Sequence, residues 1–317
     1  MHNCPPPKDA LKDWLKQYPS VEDRYGHLLL EARKAPDTAL VDALRPYFES
    51  AHLDAREHFH TQIGIDLHPD SDGGEAAPSY PRCLPPTARR GLFGEVAAGL
   101  ATEAYQKTFL GQHAWVVPIF LFRYHADVEA YLWTLNFDPD HKRQIFGRFG
   151  SDFIGVALSD TGEVVRVIAG EAKWRKNLTE SQVDGILLGP KKKNKNTGLS
   201  EHNGRGVWYE LNRDTPIPHG LRQLQRLLEA RDPDGFAAAI LSIDQAIAAR
   251  DASFPRTNLL VIAGNGAATR SSSEPLIPWE VLPEEYTAPH DLQVVEMILY
   301  DGEELIDALY DSLWDAD

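Results

Sequence analysis

Two runs decide the fold: Asp152-Phe153-Ile154-Gly155-Val156-Ala157-Leu158 and Val164-Val165-Arg166-Val167-Ile168-Ala169-Gly170, separated by Ser159-Asp160-Thr161-Gly162-Glu163. Apolar β-formers flank a short Asp/Gly turn, which predicts an antiparallel hairpin. Neither run alternates polar and apolar residues, so the sheet is expected to be covered on both faces. With Thr161 and Gly162 as the central turn residues, counting back along both strands sets Asp152 directly opposite Glu171, with Cβ atoms roughly 5 Å apart. Lys173 lies two residues beyond Glu171 and leaves the same face of its strand. A three-residue turn with a bulge would shift the register by one and make the contact diagonal.

Outward from the hairpin, residues 93–109 form a predicted helix, with Leu92, Val96, Leu100, Ala104 and Phe109 near one face. Residues 115–122 read as a buried strand complicated by Pro118. Residues 127–137 fit helix or strand equally. Helices are expected at 177–189, 219–231, 233–250 and 301–315, and strands at 259–264 and 292–299. Residues 190–206 and 265–290 read as loops. Residues 1–90 read as a peripheral helical and irregular extension wrapping the core. Within it, helices are expected at 9–18 and 37–50, a strand from His58 to Leu67, and a long loop over 68–90. The expectation is an α/β domain over 91–317, with helical additions at both ends.

Composition narrows the function classes. The chain has 317 residues, 43% hydrophobic and 25% charged, as in ordinary globular proteins. No apolar run approaches about 18 residues, which speaks against a membrane span. The first residues contain no apolar stretch of the secretory kind. Cys4 and Cys83 are the only cysteines, so no disulfide framework or thiolate zinc cluster is available and a cytoplasmic location is expected. Net charge is −15, unevenly spread. Residues 142–231 hold 16 Lys and Arg against 10 Asp and Glu, whereas Glu274 to Asp317 hold 13 acids and no Lys or Arg. A basic centre within an acidic chain fits local anion binding, and equally a solvated surface.

Two carboxylates and an ammonium at the end of a buried hairpin are costly without compensation. A divalent cation supplies it. Mg²⁺ prefers oxygen ligands and commonly uses one or two carboxylates plus a substrate phosphate. Lys173 is then placed to position or deprotonate an attacking water and to offset transition-state charge. The chemistry implied is metal-assisted hydrolysis of a phosphodiester.

Asp152 followed on the next strand by Glu171-Ala172-Lys173 resembles the PD-(D/E)XK nuclease superfamily, with Ser151 where the name-giving motif has Pro. The resemblance covers residues 91–176 best and implies a restriction-endonuclease-like core, a mixed central sheet flanked by helices. It implies that Glu95, Asp152 and Glu171, with the Ala172 carbonyl, hold Mg²⁺ (Mn²⁺ substituting), and that Lys173 is catalytic. Within the superfamily, Gly147-Arg148-Phe149-Gly150-Ser151-Asp152 and Gly170-Glu171-Ala172-Lys173 look most like the HamA nuclease subunits of the Hachiman antiphage system. That implies DNA as substrate, a helicase partner resembling HamB, and no membrane. The alternatives are a non-catalytic partner-binding subunit, or an RNase or DNA-repair nuclease of the same fold.

Weaker signals surround these. Arg148, Trp174, Arg175, Lys176, Lys191, Lys192 and Lys193 are candidate nucleic-acid contacts, and Gln182 is a candidate neighbour of the site. Glu95 in a first helical turn also favours the helix dipole regardless of function. His52, His58 and His60 lack companion ligands at zinc spacing. Gly264-Asn265-Gly266 lacks a phosphate-loop lysine, and Ser271-Ser272-Ser273 lacks a nucleophile-elbow context.

Overall fold

The Ser159–Glu163 turn is one residue longer than its sequence suggests. Ser159 N–H donates to the Glu163 carbonyl at 2.8 Å and Gly162 N–H to the Ser159 carbonyl at 3.0 Å, leaving three residues between the closing pair. Gly162 takes φ +84°, a left-handed conformation that costs a residue with a Cβ. Leu158 therefore faces Val164, but Ala157 faces Arg166. The extra residue, Val165, is a bulge that restores the register, so Phe153 pairs with Gly170. The longer turn and the bulge cancel.

The protein is described from a computed structural model covering residues 1–62, 80–81, 84–106, 113–121, 151–193, 198–213, 220–249 and 254–314. The predictions for residues 127–137 and for Arg148 fall outside these. The hairpin is β4 (Phe153–Leu158) and β5 (Val164–Leu178). Before it lie α1 (Lys8–Trp14), β1 (Leu15–Glu22), β2 (Tyr25–Ala32), α2 (Thr38–Gln62), α3 (Pro86–Tyr105) and β3 (Trp115–Phe120). After it come α4 (Glu180–Leu188), β6 (Lys191–Lys193), β7 (Ser200–His202), α5 (Val207–Leu211), α6 (Leu221–Arg231) and α7 (Ala237–Ala248). The chain continues through β8 (Arg256–Gly266), β9 (Asp291–Leu299) and α8 (Gly302–Ser312).

The seven-stranded central sheet runs β1-β2-β9-β8-β5-β4-β3. Its middle pairs, β2 with β9, β9 with β8 and β8 with β5, are parallel, and the outer pairs are antiparallel. Helices α2, α3 and α8 cover one face through Leu44, Phe48, Val96, Leu100, Leu305 and Leu309. On the other face, α4 and α5 cover β8 and β9, while α6 and α7 cover β4 and β5. The fold is thus α/β with a mixed sheet between helical layers.

Residues 1–90 are not a helical periphery. They supply β1 and β2, and β2 is buried along its whole length beside β9. Leu28, Leu29 and Leu30 are fully buried on both faces, as a strand flanked on each side requires. The helix read over 9–18 ends at Trp14, because β1 takes over there as an edge strand. Residues 58–62, read as the start of a strand, continue α2 instead. Pro118 sits where the β3–β4 register shifts, on an edge strand that tolerates a missing N–H. Lys191–Lys193 pair with Ser200–His202 in a small hairpin within the expected loop.

Gly170 has a steric reason to lack a side chain. A Cβ there would lie 2.1 Å from Cε1 of Phe153, a fully buried ring. Gly170→Ala should cost about 1–3 kcal/mol, the usual range for overpacking a tight core. Chemical denaturation should show a lower midpoint with an unchanged slope.

Candidate active site

The site forms where β5 outruns its neighbour. β4 ends at Phe153 opposite Gly170, while β8 continues alongside β5 as far as Leu178. Among the described residues, Glu171, Ala172 and Lys173 therefore have a strand on one side only. Asp152 occupies the other side. Its N–H donates to the Gly170 carbonyl at 2.7 Å, and its carbonyl accepts from Leu121 N–H at 2.8 Å. Its Oδ2 then accepts from Ala172 N–H at 2.8 Å, replacing the next rung of the ladder. Along a strand the N–H and C=O of one residue point the same way, so the Ala172 carbonyl also faces the Asp152 side.

Strand alternation sets the direction of the remaining groups. Leu260 and Ile262 of β8 lie beside Glu171 and Lys173, and both belong to the face covered by α4 and α5. Val261 and Ala263 lie beside Ala172 and Trp174, and both belong to the α3 face. Glu171 and Lys173 thus share a face, and Lys173 Nζ donates directly to Glu171 Oε1. Asp152 and Glu171 are 3% and 4% exposed, burial that is unfavourable for carboxylates without strong partners. The Ala172 N–H and the Lys173 ammonium each satisfy one oxygen. Lys173 and Glu171 are thus in direct contact, and Asp152 is tied to the Ala172 that lies between them.

Glu95 does not join them. Its helix packs on the opposite face, where Gly94 brings α3 so close that an added Cβ would lie 3.5 Å from Trp174 Cβ. Burial, with smaller contributions from Tyr80 and the nearby Glu95 charge, holds the Tyr310 hydroxyl well above its usual pKa. Among the described residues, no three His, Cys, Asp or Glu side chains are disposed to hold one metal ion. The three-carboxylate set Glu95, Asp152 and Glu171 is therefore not assembled. What remains for a cation is the pair Asp152 and Glu171 with the Ala172 carbonyl, a hard-oxygen donor set of the kind Mg²⁺ accepts.

The flanking candidates divide. Trp174 is 8% exposed and meets Phe93 edge-on at 5.3 Å, so it is a core residue and not a stacking platform. Arg175 and Lys176 are exposed beyond the site, with Lys176 paired to Glu303. Lys191, Lys192 and Lys193 are all exposed on β6. Gln182 is exposed at the start of α4, where its N–H donates to the Thr179 cap. His52 is a buried structural residue, bonded to Tyr80 and Tyr310 hydroxyls at 2.8 and 3.0 Å. Asn265 accepts from Gly302 N–H at 2.7 Å at the start of α8.

Several buried polar residues escaped the sequence reading. Glu296 accepts from His27 and from the Leu276 and Ile277 N–H groups, each at 2.8 Å. Glu31 accepts from Arg270 at 2.6 Å, Ser272 Oγ at 2.9 Å and Ser273 N–H at 3.2 Å. No local signal marks these residues, because each finds its partners far along the chain. Burial alone would raise the Glu31 pKa, but its hydrogen bonds and the Arg270 charge prevail and lower it. That stabilisation is complete above the unfolded carboxyl pKa of about 4.3 and is lost as pH falls through the lowered folded value. Amides of residues 270–274 should consequently exchange faster below about pH 4, and Glu31→Gln should remove that pH dependence.

Asp152 has a structural and a chemical role that substitution can separate. Asp152→Asn keeps an oxygen for the Ala172 N–H and should cost less than about 1 kcal/mol, whereas Asp152→Ala should cost about 1–3 kcal/mol by orphaning it. Thermal melts of the two variants check this difference. Neither protein-family models nor curated proteins yield a match to this chain.

Proposed function

We propose that the protein is a Mg²⁺-dependent nuclease that hydrolyses DNA phosphodiester bonds at Asp152, Glu171 and Lys173. The observation that carries this reading is the placing of two buried carboxylates where β4 stops beside β5, Asp152 bonded to the Ala172 N–H and Glu171 to Lys173. The order α3-β3-β4-β5-α4 supports it, with β8 following only after β6, β7 and the helices α5, α6 and α7. Three antiparallel strands and a fourth strand parallel to the third suit the restriction-endonuclease-like core.

In this reading Asp152 and Glu171 hold the ion with the Ala172 carbonyl. Mg²⁺, when bound, supplies Lewis acidity toward the scissile phosphate and acidifies its bound water. The backbone around Ala172 keeps the two carboxylates in place through the Asp152 hydrogen bond. Lys173 Nζ positions the attacking water and offsets the negative charge that develops on the phosphoryl oxygens. Arg175 and the exposed lysines of β6 offer phosphate contacts outside the reacting centre. The motif resemblance extends the proposal to an effector nuclease of an antiphage complex, with a helicase subunit delivering DNA to an otherwise acidic protein.

The direct Lys173–Glu171 contact equally suits a structural ion pair in a non-catalytic, partner-binding subunit. The experiment incubates the purified chain, alone and with the product of its neighbouring gene, with duplex DNA, single-stranded DNA and RNA in Mg²⁺ or Mn²⁺ at one salt concentration. Metal-dependent DNA cleavage supports the nuclease reading. Cleavage of RNA alone reassigns the substrate, and no cleavage in any mixture favours the partner-binding subunit.

A further inference from the structure

The two carboxylates of the site are held by donors of different kinds. Asp152 Oδ2 accepts from the Ala172 N–H at 2.8 Å, a backbone donor fixed by its strand. Glu171 Oε1 accepts from the Lys173 ammonium, a donor at the end of a flexible four-carbon stem. The partners of this second contact also differ in freedom. The Glu171 side chain is 5% exposed and lies beside Leu260, which is fully buried. The Lys173 side chain is 23% exposed, so its stem reaches solvent. Of the two, Lys173 is the one with room to swing away.

A buried carboxylate needs a counter-charge, and Lys173 supplies one from within the chain. A divalent cation meets the same need with twice the charge and a preference for oxygen. An ammonium and a divalent ion on one carboxylate repel each other strongly at such short range. The ion and the amine are therefore alternatives at Glu171.

We infer that Lys173 is a built-in competitor for the metal: its ammonium closes on Glu171, has to leave for an ion to bind there, and so sets the Mg²⁺ concentration at which the site loads. The inference rests on the nuclease reading of this site. The same displacement frees the amine for the attacking water and the phosphoryl oxygens. A pair closed about nine-tenths of the time lowers the apparent metal affinity about tenfold.

The test measures metal binding without DNA. Mn²⁺ is titrated into the full chain in weakly alkaline buffer, and the free ion is followed by electron paramagnetic resonance. Lys173→Met should bind Mn²⁺ about tenfold more tightly than the parent protein, even though it cleaves more slowly. Lys173→Arg keeps the charge and offers Glu171 a rigid fork of donors, so it should bind more weakly than the parent. Glu171→Gln should lose most of the binding. Lys176→Met removes an exposed charge paired instead to Glu303, and should change the affinity less than about twofold. Thermal melts give a second readout. The same Mn²⁺ concentration should raise the melting temperature more in Lys173→Met than in the parent, because the ion replaces the missing counter-charge. Equal or weaker binding by Lys173→Met, with binding still dependent on Glu171, overturns the inference and leaves the metal site standing. Equal tightening by Lys176→Met overturns it too, because long-range charge would then account for the effect. If neither the parent nor Lys173→Met binds Mn²⁺, the nuclease reading falls and the inference with it.

Discussion

Glu171→Gln and Lys173→Met should each lower Mg²⁺-dependent DNA cleavage on the order of 10³-fold. Glu171→Gln should move the melting temperature by only about 3 °C. Lys173→Met should lower it further, because it leaves Glu171 buried without its ammonium. Both replacements keep the volume of the side chain and remove its charge. Glu171→Gln takes one of two carboxylates from the ion, so raising Mg²⁺ should recover part of the lost rate. Lys173→Met leaves the carboxylates and removes the amine, so added metal should recover nothing. Quenched-flow or gel measurements across a Mg²⁺ titration separate the two responses. A variant that cleaves as fast as the parent protein would sink the assignment of these residues.

The largest effect on stability is expected at Glu296. This carboxylate is 1% exposed and holds three donors at 2.8 Å: His27 and the Leu276 and Ile277 N–H groups. It joins β2, β9 and the segment before Trp279 at one point. Glu296→Ala strands all three donors and should cost about 3–5 kcal/mol. Glu296→Gln keeps one oxygen but turns an NH₂ toward one of the backbone N–H groups, so its cost should be intermediate, about 1–3 kcal/mol. Urea melts followed by tryptophan fluorescence would give both values. A loss below about 1 kcal/mol for the alanine variant would show that the carboxylate does not bear this role.

The hairpin was legible because its signals are local. Two apolar β-forming runs and a Gly-containing turn sufficed to pair Asp152 with the Glu171 side of β5, although the turn itself was read one residue too short. Strand alternation, applied along β5, separates Trp174 from Lys173. Trp174 stands on the α3 face, and its place next to the motif in sequence suggested a contact that its direction forbids. Glu95 was carried to the site by resemblance alone, and nothing in its helical spacing sets the face on which α3 packs. β2 was missed for a different reason. His27 and Glu31 interrupt its apolar run, and partners more than 200 residues away, Glu296 for His27 and Arg270, Ser272 and Ser273 for Glu31, make their burial tolerable. A pattern read within one window cannot see such partners.

Val165 works as an expansion joint in the hairpin. It stands out of the ladder, so its removal would leave Leu158 opposite Val164, Ala157 opposite Arg166 and Phe153 opposite Gly170. Glu171 and Lys173 would keep their face of β5. The hairpin should therefore tolerate the loss of this one residue, and its local twist rather than its register should change.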